Sequence, residues 1–167
     1  IYHDSSNSRT RIEHSTDNAL EILQAGNAGM LIQNQNSFNI EIKTNAEDAI
    51  KCVANGAVEL YHNNVKKLTT YSAGVEIHGS EGANAELYLY ADEGDDDADN
   101  WKLTTLAASA TFQLQNRASG SWETNIEANG NGNEELYHDN TKKLETTSGG
   151  ITLAYGNVSS VPNGNAA

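Results

Sequence analysis

Apolar and polar side chains alternate with a period of two at many places along the chain. Val58 and Leu60 alternate with Glu59 and Tyr61. Similar alternation occurs around Leu20 and Ile22, Phe38, Ile40 and Ile42, Leu87 and Leu89, and Phe112 and Leu114. A period of two predicts strands with one buried face, because successive side chains point to opposite sides. Turn residues separate these runs, so short strands of roughly four to seven residues recur about every eight to twelve. No window sustains apolar residues at helical spacing. Asn45-Ala46-Glu47-Asp48-Ala49 predicts one helical turn at most.

The pattern repeats. Residues 59–74 read ELYHNNVKKLTTYSAG and residues 135–150 read ELYHDNTKKLETTSGG, identical at 11 of 16 positions. Ile50, Asn55 and Gly56 align with Ile126, Asn131 and Gly132; Val75 and Ile77 align with Ile151 and Leu153. Ile1-Tyr2-His3-Asp4 mirrors Leu136-Tyr137-His138-Asp139 as a partial copy at a different spacing. Each unit predicts a strand, a turn at Asn63-Asn64 or Asp139-Asn140, a return strand through the lysine pair, a break at Ala73-Gly74 or Gly149-Gly150, and a third strand. The chain is thereby parsed into a β module over 1–48, a hairpin repeat over 49–80, an acidic-loop β module over 81–124, a second hairpin repeat over 125–157, and a tail or linker over 158–167. Ile1 begins in mid-pattern, which reads as a piece of a longer chain.

Each hairpin offers two or three inward apolar positions, and an isolated hairpin is marginal in water. Hydrophobic residues make up only 37% of the chain and aromatics 7%, too little to fill one compact core comfortably. The fold class expected is therefore all-β: an elongated, repetitive structure of short hairpins that bury their faces against copies. A trimeric β-prism, with each chain as one wall, is favoured over a β-solenoid-like rod because it shares a thin core and leaves fewer free edges.

Charge narrows the function. A net charge of −13 argues against nucleic acid and anionic membrane surfaces, both of which call for clustered Lys and Arg. No apolar run reaches the length of a membrane span. The lone Cys52 excludes an internal disulfide, and it stands where the other repeat has Ala128, as a small packed residue. The 21 Asn and 14 Gly suit frequent tight turns.

Candidate chemistry is sparse. Asp95, Asp97 and Asp99 stand at alternate positions in an acidic run and form the candidate Ca2+ set. Asn100 replaces the glycine and Leu106 the bidentate Glu of the helix-loop-helix calcium loop, so a solvated acidic loop is the competing reading, and no other cofactor is expected. His62 and His138 share a face with Leu60 and Leu136. They are candidates for a trimer-axis metal or anion site, or for bonds within their own hairpins. Lys66-Lys67 and Lys142-Lys143 are expected to pair with Glu59 and Glu135 across the hairpins. Trp122, Tyr61 and Tyr137 are surface-contact candidates. Glu123 and Glu127, near Trp122, are the nearest approach to an acid–base pair for sugar cleavage. No nucleophile triad, phosphate loop or Cys/His cluster stands out, so no catalytic residue is assigned and the chain reads as a non-enzyme.

The strings ELYHDNTKKLETTSGGITL, ELYHNNVKKLTTYSAGVEI and IYHDSSNSRTRIEH resemble repeats in tail fibre proteins of marine bacteriophages, notably those of cyanobacteria. ELYLYADEGDDDADNWKLTT, followed by ASGSWETNIEANGNGNEELYH, looks like a further module of such proteins. The resemblance spans essentially the whole chain and implies a homotrimeric virion fibre engaged in host attachment. Its implied partners are copies of itself, other tail proteins, and a host-surface glycan or protein; its implied location is the virion, outside the cell. A polysaccharide-degrading tailspike and a repeat-built surface adhesin or filament are the alternatives.

Overall fold

The computed structural model describes residues 2–4, 9–12, 22 and 30–154. The chain divides into two units, Ile1–Gln33 and Asn34–Ala167. In the first, β1 (Tyr2–Asp4) pairs antiparallel with β2 (Arg9–Arg11), setting Tyr2 opposite Arg11. The sequence features at Leu20 and over 158–167 lie outside the described residues.

The second unit holds two antiparallel sheets whose strands pair in chain order. The five-stranded sheet comprises β3 (Ile40–Thr44), β4 (Glu47–Cys52), β5 (Val58–His62), β6 (Val65–Tyr71) and β7 (Gly74–Ile77). The seven-stranded sheet comprises β8 (Ala85–Tyr90), β9 (Asn100–Leu106), β10 (Thr111–Asn116), β11 (Glu123–Asn129), β12 (Glu134–His138), β13 (Thr141–Thr147) and β14 (Gly150–Leu153). The all-β expectation holds. Every pairing among the described residues is antiparallel and joins chain neighbours, unlike the parallel coils of a solenoid, and neither sheet closes on itself.

The two repeats fold alike in detail. The β5–β6 turn places Asn63 and Asn64 at φ 51° and 58°, and the β12–β13 turn places Asp139 and Asn140 at 49° and 53°. Two successive positive φ values give the hairpin turn that matches strand twist, and Asn and Asp tolerate them. The second turn residue also reaches sideways. Asn64 Oδ1 accepts the Asp48 amide at 2.8 Å and Asn140 Oδ1 accepts the Thr124 amide at 2.9 Å, tying each hairpin to the preceding strand. Thr70 Oγ1 accepts the Val58 amide at 2.9 Å, and Thr146 Oγ1 accepts that of Glu134 at 3.0 Å. The register jumps past Lys67 and past Lys143, bulges that set Lys66 opposite Tyr61 and Lys142 opposite Tyr137.

One expectation fails locally. Asn45-Ala46 forms a hairpin turn with φ 53° and 68°, and Glu47 to Ala49 enter β4 instead of a helical turn. Cross-strand pairing to β3 and β5 outweighs the helix propensity of Ala and Glu there.

Burial also departs from the expected sides. Among the described residues no hydrophobic side chain is buried; the most enclosed residues are polar, with Thr104 at 2% exposure and Glu135 at 8%. In β5 the apolar Val58 and Leu60 are exposed while Glu59 and Tyr61 are half-buried. The cause is a single-layer sheet. Its polar face closes over itself by cross-strand hydrogen bonds, whereas nothing among the described residues buries the apolar one.

Candidate functional site

Two arrangements, one on each face, distinguish the molecule. On the apolar face a single aliphatic residue per strand stands directly opposite the next. Ile42, Ile50, Leu60, Leu68 and Ile77 run in register across β3 to β7. Leu87, Leu103, Leu114, Ile126, Leu136, Leu144 and Leu153 do the same across β8 to β14. Ile77, Leu87, Leu103 and Phe112 share the lining of a cleft of about 180 Å³ where the two sheets meet. Directly opposed residues share a face, so each sheet carries an unbroken ridge, twelve aliphatics in all. A flanking row holds Ile40, Cys52 and Val58 in one sheet, and Ala85, Thr105, Phe112, Ala128 and Glu134 in the other. Cys52 is free and half-buried there.

On the polar face a glutamate–tyrosine–lysine triad occurs three times. Tyr61 donates to Glu59 at 2.7 Å and Lys66 Nζ to the same carboxylate at 3.3 Å. Tyr137 donates to Glu135, and Lys142 reaches Glu135 at 3.1 Å. Tyr88 donates to Glu86 at 2.8 Å, and Lys102 to Glu86 at 2.9 Å. The tyrosine hydroxyl chiefly, with the lysine beside it, holds Glu59 and Glu135 below the usual carboxylate range; at Glu86 the Lys102 ammonium leads. Conversely Tyr61 is pushed up to about 12, first by its bond to Glu59, and Tyr137 also to about 12, first by burial. The expected cross-hairpin pairing is thus made by the first lysine of each pair, while Lys67 donates instead to Ser80 at 2.9 Å.

The third triad was not read from the sequence. Glu86-Leu87-Tyr88 repeats the Glu-Leu-Tyr of the other two, but its lysine arrives on β9 after the long acidic loop, not after a two-residue turn. A second unread feature is a row of carboxylates. Glu127, Glu135 and Glu145 lie directly opposite one another on β11, β12 and β13, where the first repeat has Lys51, Glu59 and Thr69. Lys142 bridges Glu135 and Glu145. Asn133 donates to both, and Gln113 donates to Glu127 at 2.7 Å.

The remaining candidates are placed as follows. Tyr61 and Tyr137 belong to the triads. Trp122 packs edge-on against Tyr88, ring centroids 5.7 Å apart, with Lys102 Nζ 4.8 Å from its ring centre; it lids the third triad. Glu123 accepts from Ser119 and Glu127 from Gln113, so the pair is engaged with separate neighbours along one strand. His62 is exposed. His138, also exposed, has Nδ1 3.5 Å from the Asp139 carboxylate in its own turn. In the acidic loop, Asp95, Asp96 and Asp99 bring oxygens within 4.8 Å of one another. Asp97 is not in that group: it turns to Arg117 Nε at 3.2 Å. Two short 3-10 turns, Asp92–Gly94 and Asp97–Asp99, shape the loop, and Asp97 opens the second of them.

No helix among the described residues is long and apolar enough to cross a membrane. Comparisons with family models, curated proteins and solved structures give no match. What the fold and its two faces define is a class: a single-layer antiparallel β-repeat, polar and self-bonded on one side, aliphatic on the other.

Proposed function

We propose that this chain is a structural, non-enzymatic segment of a bacteriophage tail fibre, one wall of a homotrimeric rod that contributes to host-cell attachment. One observation carries the oligomer: a chain without a buried hydrophobic side chain among its described residues presents a continuous aliphatic ridge. A sheet of this kind lacks the apolar burial that opposes chain entropy, and covering the ridge with copies supplies it. The likeness of the repeat strings to those of marine phage fibres supports the virion assignment. The partners in this reading are further copies of the chain, other tail proteins, and a host-surface glycan or protein.

Sedimentation equilibrium of the purified chain, with electron microscopy of the same sample, tests the proposal. A threefold mass and thin rods are expected; a rounded monomer that melts cooperatively would overturn it. A turnover assay on surface polysaccharide tests the non-enzymatic part, and the expected outcome is no release of reducing ends.

A further inference from the structure

We infer that copies of this chain meet ridge against ridge, with the assembly axis running across the strands, so that each strand contributes one layer of the shared interior. The inference rests on the oligomer reading above and adds to it an axis and a register.

Three observations on the ridge itself select a copy of the chain as its occupant. The first is spacing. The aliphatics stand one per strand, hence about 4.8 Å apart, and a second surface with identical spacing is supplied by the same residues of another copy. The second is charge. The ridge contains no ionisable residue and the row flanking it on the same face one carboxylate, Glu134, whereas the row beside it on the opposite face carries Glu41, Lys51, Glu59 and Glu76 in one sheet and Glu86, Glu127, Glu135 and Glu145 in the other. In a chain of net charge −13, meeting through the polar face would set carboxylates against carboxylates; meeting through the ridge keeps them apart. The third is area. Eight of the twelve are exposed, from Ile50 at 36% to Ile42 at 55%, and Leu68, Leu103, Leu114 and Leu144 are half-buried. Together the twelve offer on the order of 800 Å² per chain, about one side of a standard specific interface.

The register has a consequence. If like layers meet on a threefold axis, the same residue of each chain faces its two counterparts. Leu136→His would then bring three imidazoles together in one layer, a donor set that takes a divalent cation. The experiment compares Zn2+ binding by calorimetry in the wild-type chain, in Leu136→His, and in Glu76→His on the opposite face, each checked for mass by sedimentation. One additional Zn2+ per three chains in Leu136→His alone is the expected result. A trimeric Leu136→His without added Zn2+, or a gain in Glu76→His instead, would overturn the ridge interface while leaving the fibre proposal standing. A monomeric wild-type chain would overturn both. Should Leu136→His fail to fold, a reconstruction of the wild-type rod decides: strands across the axis with the ridge inside uphold the inference, and strands along the axis or the ridge outside refute it.

Discussion

Tyr137 donates its phenolic hydrogen to Glu135, two residues back on the same strand and the same face, as Tyr61 does to Glu59 and Tyr88 to Glu86. A spacing of two is the shortest that returns a strand to one face. Each lysine then approaches from the neighbouring strand, so one carboxylate is gripped both along and across the sheet. Tyr137→Phe removes one grip and leaves the ring. The expected cost is about 1 kcal/mol, read by denaturant unfolding, with Tyr61→Phe giving a similar loss in the first sheet.

The triads also set a pH response. Glu59, Glu86 and Glu135 have depressed folded-state pKa values. Their contribution is full above the unfolded carboxylate value of about 4.3 and is lost as pH falls through the lower folded values. Tyr61 and Tyr137, raised to about 12, contribute fully below the unfolded value of about 10 and lose that contribution between about 10 and about 12. Thermal melts followed by circular dichroism should show a plateau between these limits and a falling Tm on either side. Tyr61→Phe with Tyr137→Phe should flatten the alkaline limb.

Asn140 has two tasks, a positive φ of 53° and a side-chain bond to the Thr124 amide. Asn140→Gly keeps the first and loses the second, with an expected cost of about 1 kcal/mol. Asn140→Ala loses both and should cost about 2 kcal/mol, because the left-handed backbone is strained with a Cβ and no local hydrogen bond. Urea midpoints of the two variants would separate the tasks.

Lys142 and Lys66 occupy equivalent positions in unequal surroundings. Lys66 meets one carboxylate, Glu59; Lys142 meets Glu135 and Glu145, with Glu127 in the next strand. Like charges directly opposite are destabilising. Lys142→Met should therefore lower Tm more than Lys66→Met, and added salt should narrow the gap by screening. Equal losses would show that the carboxylate row carries no net repulsion.

The two rows of the apolar face predict opposite outcomes. In the proposed trimer, Leu60→Asp sets a carboxylate on the ridge, and enclosing it in a shared interior costs several kcal/mol per chain, so sedimentation should show dissociation. Glu134, in the flanking row, stands where the first repeat has Val58. Glu134→Val should raise the assembly's Tm, provided the loss of its bond from Thr146 is outweighed by apolar burial.

Much of this fold was legible because short strands announce themselves by alternation. Val58 to Tyr61 read as a strand and is one; Asn63-Asn64 read as a turn and is one. The faces were legible too, since His62 does share a side with Leu60. What escaped depends on register, which is fixed by pairing between strands distant in sequence. The bulges at Lys67 and Lys143 decide which lysine meets which glutamate. The match of Tyr88 to Lys102 arises across a loop that no local pattern spans. Asp97 was grouped with Asp95 and Asp99 on the alternate spacing of calcium-loop ligands, whereas the folded loop gathers Asp95, Asp96 and Asp99 and turns Asp97 to Arg117. The Ala46 turn was obscured because Ala, Glu and Asp also suit a helical turn until a partner strand is present.

A globule that gains residues must redesign its interior, since volume grows faster than surface. Here each added strand brings one aliphatic to extend the ridge and one polar residue to extend the row behind it, and alters no layer already present. Duplicating a hairpin would therefore widen a sheet by two strands and leave the existing strand pairings as they are. The 76-residue offset between the two copies is the mark that duplication of a larger block of strands would leave in a gene.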